Sequence, residues 1–433
     1  MRHSALLAIA CAGVFAAAPV RAQEDYGFDA GQFEKKRFEL NGYAELRAEH
    51  FALDPGAAFY RLNFFDQTPR SDFARGTGAL ELTGVYREGM ASLHATAHGE
   101  ASRDYSGSER DTRLYEAYLR LDPARAASAE LGKKALRWGK GYAWNPVGFV
   151  ERPKDPNDPE LSREGFVVLA GDLIRSFDGR LKTLALTPVL LPVRDSLNDD
   201  FGAAGHVNAA AKLYALYGDT DLDLVILGAG SRGRRYGFDF ARNLTTNFEI
   251  HGEWARTADT ERAVTDAAGN VTRVRADADS YLLGLRHLTE NEVTTIVEYY
   301  RNGAGYTQDE MRAFFERVHT VYDQFQASGD ATALGRIRDT LQTPYARPTP
   351  MGRYLYLRVS AKEPFDILYF TPAITLIDNL DDRSYSAAPE LLYTGVTDLE
   401  LRLRLYVLRG ERLTEFGEKQ NDRRVEFRVR YFF

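Results

Sequence analysis

The chain has 433 residues, 44% of them apolar and 27% charged, with a formal charge of -7. An acidic balance argues against a general nucleic-acid binder, and a mean hydropathy of -0.39 excludes a helical membrane bundle. Aromatic residues reach 12%, which disordered chains do not.

Residues 1–22 read as a secretory signal. Arg2 gives the positive start, Ala5 to Val20 is an apolar run of 16 residues, and Val20-Arg21-Ala22 places small residues before a cut at Gln23. The run is shorter than the ~20 residues a spanning helix needs. Lipoprotein processing at Cys11 fits poorly, because Ala8-Ile9-Ala10 precedes it. Removing the signal takes away Arg2, Arg21 and the only cysteine, so the mature charge becomes -9 and no disulfide framework exists. Residues 23–37 are expected to be a periplasmic segment and 38–433 the folded unit.

From residue 38 the dominant period is two. Leu40, Gly42, Ala44, Leu46 and Ala48 alternate with Asn41, Tyr43, Glu45, Arg47 and Glu49. Ala91, Leu93, Ala95 and Ala97 alternate with polar partners that include His94 and His98. Phe248, Ile250, Gly252 and Trp254 do so with Glu249, His251 and Glu253. Leu399 to Val407 and Val425 to Phe433 repeat the rule.

Eighteen such segments are predicted, at 38–51, 75–86, 90–101, 112–121, 129–138, 164–177, 180–191, 206–217, 221–230, 236–242, 247–256, 279–288, 292–301, 353–362, 366–377, 383–394, 399–409 and 422–433. Short turns follow the even segments. Longer loops follow most odd ones, at 52–74, 139–163, 192–205, 257–278, 302–352 and 410–421. An even strand count, segments of about 10 residues and this asymmetry of connections predict an all-β, transmembrane, antiparallel up-and-down barrel. Hydrocarbon leaves no backbone group unpaired, so strands can span only as a closed sheet, with apolar residues outward and charges inward. Tyr86, Trp138, Tyr217, Trp254, Tyr385, Tyr393 and Phe433 fall at segment ends, as interface girdles do.

The terminal Arg430-Tyr431-Phe432-Phe433 resembles the C-terminal aromatic signal of Gram-negative outer-membrane barrels, which implies the assembly machinery as a partner. Gly132 to Gly141, Gly-Lys-Lys-Ala-Leu-Arg-Trp-Gly-Lys-Gly, resembles a strand of the alginate-export family and related porin-like proteins. That resemblance implies eighteen strands and passive movement of a solute through a polar lumen. The family's lumen is strongly Arg-rich, whereas this chain mixes signs, so alginate itself is not expected as the solute.

In a closed barrel the last strand pairs with the first. This brings Glu400, Arg402 and Arg404, then Arg424, Glu426, Arg428 and Arg430, then Glu45, Arg47 and Glu49 onto one lumen wall. Two readings stand: a ladder of ion pairs that stiffens the barrel, and a charged constriction that selects an anionic or hydroxyl-rich solute. His94 and His98 lie four apart on a strand, about 13 Å, too far to share a metal. No metal and no cofactor is expected. His50, His206, His287 and His319 have no evident Ser partner, which disfavours a lipid hydrolase. Ser231-Arg232-Gly233-Arg234-Arg235 is expected to meet lipopolysaccharide phosphates at the surface, and 155–160 and 378–382 to be solvated acidic turns rather than calcium loops.

Loop 302–352 departs from the strand pattern. Thr307 and Glu310 make a capping box. Met311, Phe314, Phe315, Val318, Tyr322 and Phe325 follow at helical spacing, Ala331, Leu334, Ile337 and Leu341 form a second segment, and Pro344, Pro348 and Pro350 are expected to stop it. This extracellular helical loop is expected to fold into the barrel mouth as a constriction. The sequence thus points to an outer-membrane channel among lipids and lipopolysaccharide for a small polar, anionic or saccharide solute. The alternative is a filled barrel that acts as a scaffold or sheath; the oligomeric state is open.

Overall fold

The structure, a computed structural model, describes residues 36–161, 163–265 and 270–433. The expected signal and nearly all of segment 23–37 lie outside them. Eighteen antiparallel strands are present: β1 (Phe38–Leu53), β2 (Asp72–Glu88), β3 (Ala91–Asp104), β4 (Gly107–Ala124), β5 (Ala127–Lys134), β6 (Phe166–Ser176), β7 (Leu181–Val193), β8 (His206–Tyr217) and β9 (Thr220–Leu227). They continue as β10 (Arg235–Thr245), β11 (Phe248–Thr265), β12 (Val271–Leu288), β13 (Val293–Arg301), β14 (Arg353–Ala361), β15 (Phe370–Asn379), β16 (Ser384–Val396), β17 (Leu399–Arg409) and β18 (Asn421–Phe432). Each pairs with its sequence neighbours, and β1 pairs with β18, so the sheet is a closed up-and-down barrel. Among the described residues no helix is long and apolar enough to cross a membrane.

The alternation sets the faces. On β1, Leu46 is 67% exposed and its neighbour Glu45 only 7%. On β17, Leu403 is 42% exposed and Arg404 only 4%. Apolar side chains therefore cover the outer wall and charged ones line the interior, the reverse of a soluble barrel. Tyr86, Tyr217, Tyr385, Tyr393 and Phe433 sit exposed at strand ends.

Four expectations need correction. The segment 132–141 is not one strand: β5 ends at Lys134, and the chain turns inward, burying Leu136 and Trp138. Trp138 is therefore not a girdle residue. The loop expected at 257–278 is mostly a strand extension, since β11 runs to Thr265 and β12 starts at Val271. It lacks an apolar stripe because cross-strand ion pairs hold it: Glu261 with Arg273 and Arg275, and Arg256 with Asp277 and Asp279. Finally, Pro344 does not stop the second loop helix, which continues to Ala346.

Three helices occupy the long-loop end: α1 (Ala58–Phe64), α2 (Gln308–Ser328) and α3 (Thr332–Ala346). Thr307 and Glu310 form the capping box that starts α2, with the Glu310 amide donating to Thr307 Oγ1 (3.2 Å) and the Thr307 amide to Glu310 (2.8 Å). Gly329 closes α2 at φ 74°, a conformation that costs glycine little. Met311, Phe314, Phe315 and Val318 are buried against Phe59 and Leu62 of α1, Leu334 and Tyr345 of α3, and the inward side chains Tyr354 and Tyr356 of β14. Phe314 stacks on Tyr345 at 4.0 Å. Burying such side chains contributes roughly 1.5–3 kcal/mol each, which explains why a charged lumen contains an apolar core at one end.

Candidate solute path

The wall built by β17, β18 and β1 carries the charges in three rows. Glu400, Arg430 and Glu45 stand side by side; then Arg402, Arg428 and Arg47; then Arg404, Glu426 and Glu49. Directly opposed residues of an antiparallel pair point to the same face, so all nine share one surface. Contacts cross between rows and strands. Arg430 Nη2 lies 2.6 Å from Glu45, Arg424 3.3 Å from Glu49, Arg428 2.9 Å from Glu426, and Arg402 3.1 Å from Glu400. Arg404 Nε donates to Glu390 of β16 (2.7 Å), which also accepts from Arg358 of β14 (3.0 Å). Aromatic rings lie among the guanidinium groups, with Arg424 3.8 Å over Tyr406 and Arg430 4.2 Å over Tyr43.

A second inward segment went unrecognised in the sequence. Residues 135–161, between β5 and β6, run into the lumen. Their backbone is held by two buried glutamates of the far wall. Glu253 of β11 accepts the amides of Lys140 (2.6 Å), Gly141 (2.6 Å) and Val147 (3.2 Å). Glu298 of β13 accepts those of Ala143 (2.8 Å) and Tyr142. Lys140 Nζ also meets Asp223 of β9 at 3.0 Å. Trp144 stacks on Tyr300 (4.9 Å) and joins the helical core. Burial pushes the carboxyl of Glu151 up and the amine of Lys154 down; Lys154 donates to the backbone oxygens of Gly141 and Tyr142.

Beyond Lys154 the segment reaches the charged wall. Asp155 Oδ1 accepts the Asn157 amide (2.9 Å) in a tight turn. Asp158 at its tip lies 3.3 Å from Arg428 and 3.9 Å from Arg404. This acidic stretch is therefore not a solvated turn. In the other acidic stretch, Asp381 pairs with Arg353 (2.6 Å), and Asp382 accepts the amides of Ser384 and Glu415. Two chambers flank the tip. One of about 240 Å³ is lined by Asp155, Asn157, Tyr406 and Arg424. The other, about 640 Å³, is lined by Pro159, Glu160, Leu161 and Arg358.

The loop between β17 and β18 closes over the helices. Glu418 accepts the Ala58 amide that opens α1 (2.5 Å) and pairs with His319 of α2 (3.1 Å), whose other ring nitrogen meets Arg61 (3.0 Å). Burial would raise the Glu418 carboxyl, but these donors outweigh it and hold it low. Glu415, fully buried, accepts from Tyr354 (2.6 Å) and Asn379 (2.7 Å); burial pushes it up to about 7.

The remaining candidates fall apart from this wall. His94 bonds Ser92 (3.0 Å) and stacks on Tyr118; His98 pairs with Glu81 (3.3 Å); His251 pairs with Glu298 (2.8 Å). His50 reaches Asp72 (3.2 Å), but Ser71 bonds that carboxylate rather than the ring. Arg232 of the basic loop packs 4.0 Å over Phe201, and burial lowers it to about 10.

No family model and no curated protein matches the chain, so the alginate-export likeness of 132–141 stays a resemblance. Solved structures do match the fold. The chain is similar to OccK5 (OpdH) of Pseudomonas aeruginosa, at TM-score 0.52 and 12% identity, over 91% of this chain and 98% of that one. It is likewise similar to OccK9 (OpdG) of the same organism, at TM-score 0.51 and 13% identity, over 91% and 97%. OccK3 (OpdO) follows at TM-score 0.50 and 11% identity, over 91% and 96%. At these identities the likeness is one of fold, and it spans nearly the whole barrel.

Proposed function

We propose that the chain is a porin-like channel of the outer membrane that passes a small anionic solute by diffusion. The apolar outer wall supports the membrane location, since a closed barrel faced with Leu, Ile and Phe needs lipid around it. The observation that carries the solute class is the row Arg402, Arg428 and Arg47 on three adjacent strands of one lumen wall. Guanidinium groups in a narrow, poorly hydrated lumen attract anions far more strongly than they do in bulk water. Tyr43 and Tyr406, interleaved with Arg430 and Arg424, add faces on which a hydroxylated or aromatic body can slide. In this reading Glu45, Glu49, Glu400, Glu426 and Arg424 set the shape and the local charge of the path.

The scaffold reading draws on the apolar core of α1, α2 and α3, which fills part of one end. The two chambers favour passage over filling. Liposome swelling separates the two. Proteoliposomes should swell faster in a small carboxylate salt than in a cationic solute of equal size. Swelling in neither marks a filled barrel.

A further inference from the structure

The arginines of the wall are already paired, so an anion that binds them must displace something. The question is which carboxylate can leave. Glu45 and Glu49 grow from β1, Glu390 from β16, Glu400 from β17 and Glu426 from β18. Each is fixed by the barrel's hydrogen-bonded ladder. Asp158 differs. It sits at the tip of the inward segment 135–161, in no strand or helix, and meets Arg428 (3.3 Å) and Arg404 (3.9 Å). Both guanidinium side chains are only 5% exposed, and Arg428 Nε has no hydrogen-bond partner. A buried guanidinium needs an oxygen acceptor, and Asp158 supplies one from the lumen side.

Asp158 also stands between residues that line two separate chambers. Asp155 and Asn157 line one chamber and Pro159, Glu160 and Leu161 the other. The turn is tied to the wall by one further bond, from Arg404 to the Asn157 carbonyl (3.4 Å). On the other side, Glu253 and Glu298 anchor the segment by residues 140–147, well before the tip. The flanks of the tip are held within the β5–β6 connection, by Lys154 on the Tyr142 carbonyl (3.3 Å), Tyr142 on Glu160 (3.2 Å) and Arg163 on Glu151 (3.0 Å), so among the described residues only Asp158 and Asn157 tie the tip to the charged wall.

Resting on the channel reading, we propose that Asp158 is an exchangeable counter-ion: a small oxyanion in transit takes its place on Arg404 and Arg428. Exchange swings the tip 155–161 aside and joins the two chambers. The arginine pair then never stands bare, so the path rejects cations and passes anions that bind guanidinium as a carboxylate does. The return of Asp158 expels the bound solute. No bond is made or broken; the step swaps one carboxylate for another.

The test uses the full chain in planar bilayers, with potassium acetate titrated against a potassium chloride current. The proposal expects Asp158→Asn to hold acetate about tenfold more tightly, the size of one charge-assisted contact that no longer competes. Asp158→Glu keeps the carboxylate and should hold acetate as the parent does. Combining Asp158→Asn with Arg428→Gln should abolish the gain, because the two residues act on one site. Heat-modifiable gel migration confirms that each variant is a closed barrel. A parent that conducts, with acetate held equally by parent and Asp158→Asn, overturns the exchange. A parent that forms no channel overturns the channel reading instead.

Discussion

Arg430 of the last strand and Glu45 of the first face each other across the seam that closes the barrel, 2.6 Å apart. The same pair that joins the ends of the sheet also begins the charged wall of the lumen. Closure and electrostatics are thus coupled. The wall exists only once residues 385 positions apart in sequence are brought together.

The inward segment depends on Glu253. Replacing Glu253 with alanine leaves the amides of Lys140, Gly141 and Val147 without their acceptor inside the barrel. An orphaned buried donor costs roughly 1–3 kcal/mol. The variant should still close as a barrel, but unfold at lower denaturant and give noisier current than the parent. Denaturant titration of the folded gel band reads the first effect and channel recordings the second. Unchanged current noise would mean that the segment is held elsewhere.

Alternation marked every strand that touches hydrocarbon, because lipid on one side and water on the other impose period two. It missed the ends of β11 and β12, where cohesion comes from the ion pairs of Glu261 with Arg273 and Arg275 and from packing of Val264 on the helical core, not from contact with hydrocarbon. The register of the wall was readable because the first and last strands of a closed barrel must pair. The inward run from Ala135 was not. Its anchors, Glu253 and Glu298, lie more than a hundred residues away, and a carboxylate that accepts backbone amides leaves no pattern in sequence. The apolar stripe from Met311 to Phe325 was legible by its helical spacing, but not its partners on α1, which the sequence reading placed in a loop.

Loop removal should widen the path. Deleting 308–341 and joining the ends with a short Gly-Ser link removes all of α2 and most of α3, and with them Met311, Phe314, Phe315 and Val318 from the buried cluster. Unitary conductance should rise and larger solutes should pass. If the deletion variant inserts normally yet conducts like the parent, the helices cap the surface rather than narrow the mouth.

The Glu415 site gives a pH dependence with a definite sign. Burial holds this carboxyl near 7, above its unfolded value of about 4.3. The folded state therefore binds more protons between these values. The contribution of Glu415 is fully present below about pH 4 and is lost as pH rises through 7. Closure of the 410–420 loop over α1 should be tighter at pH 5 than at pH 8, measured as hydrogen exchange of the Glu415 and Phe416 amides. Glu415→Gln stays neutral and should flatten that difference. The opposite slope would contradict the assignment.

The proposed anion path along the wall of β17, β18 and β1 would set the ion selectivity of the channel, which the reversal potential under a salt gradient reads. In planar bilayers with a potassium chloride gradient, the parent should reverse on the anion side of zero. The triple variant Arg402→Glu, Arg404→Glu, Arg428→Glu should reverse on the cation side, since these three guanidinium groups lie on adjacent strands of one lumen face. A cation-selective parent, or a correctly assembled triple variant with an unmoved reversal potential, would contradict the account and leave the charges as a stiffening ladder alone.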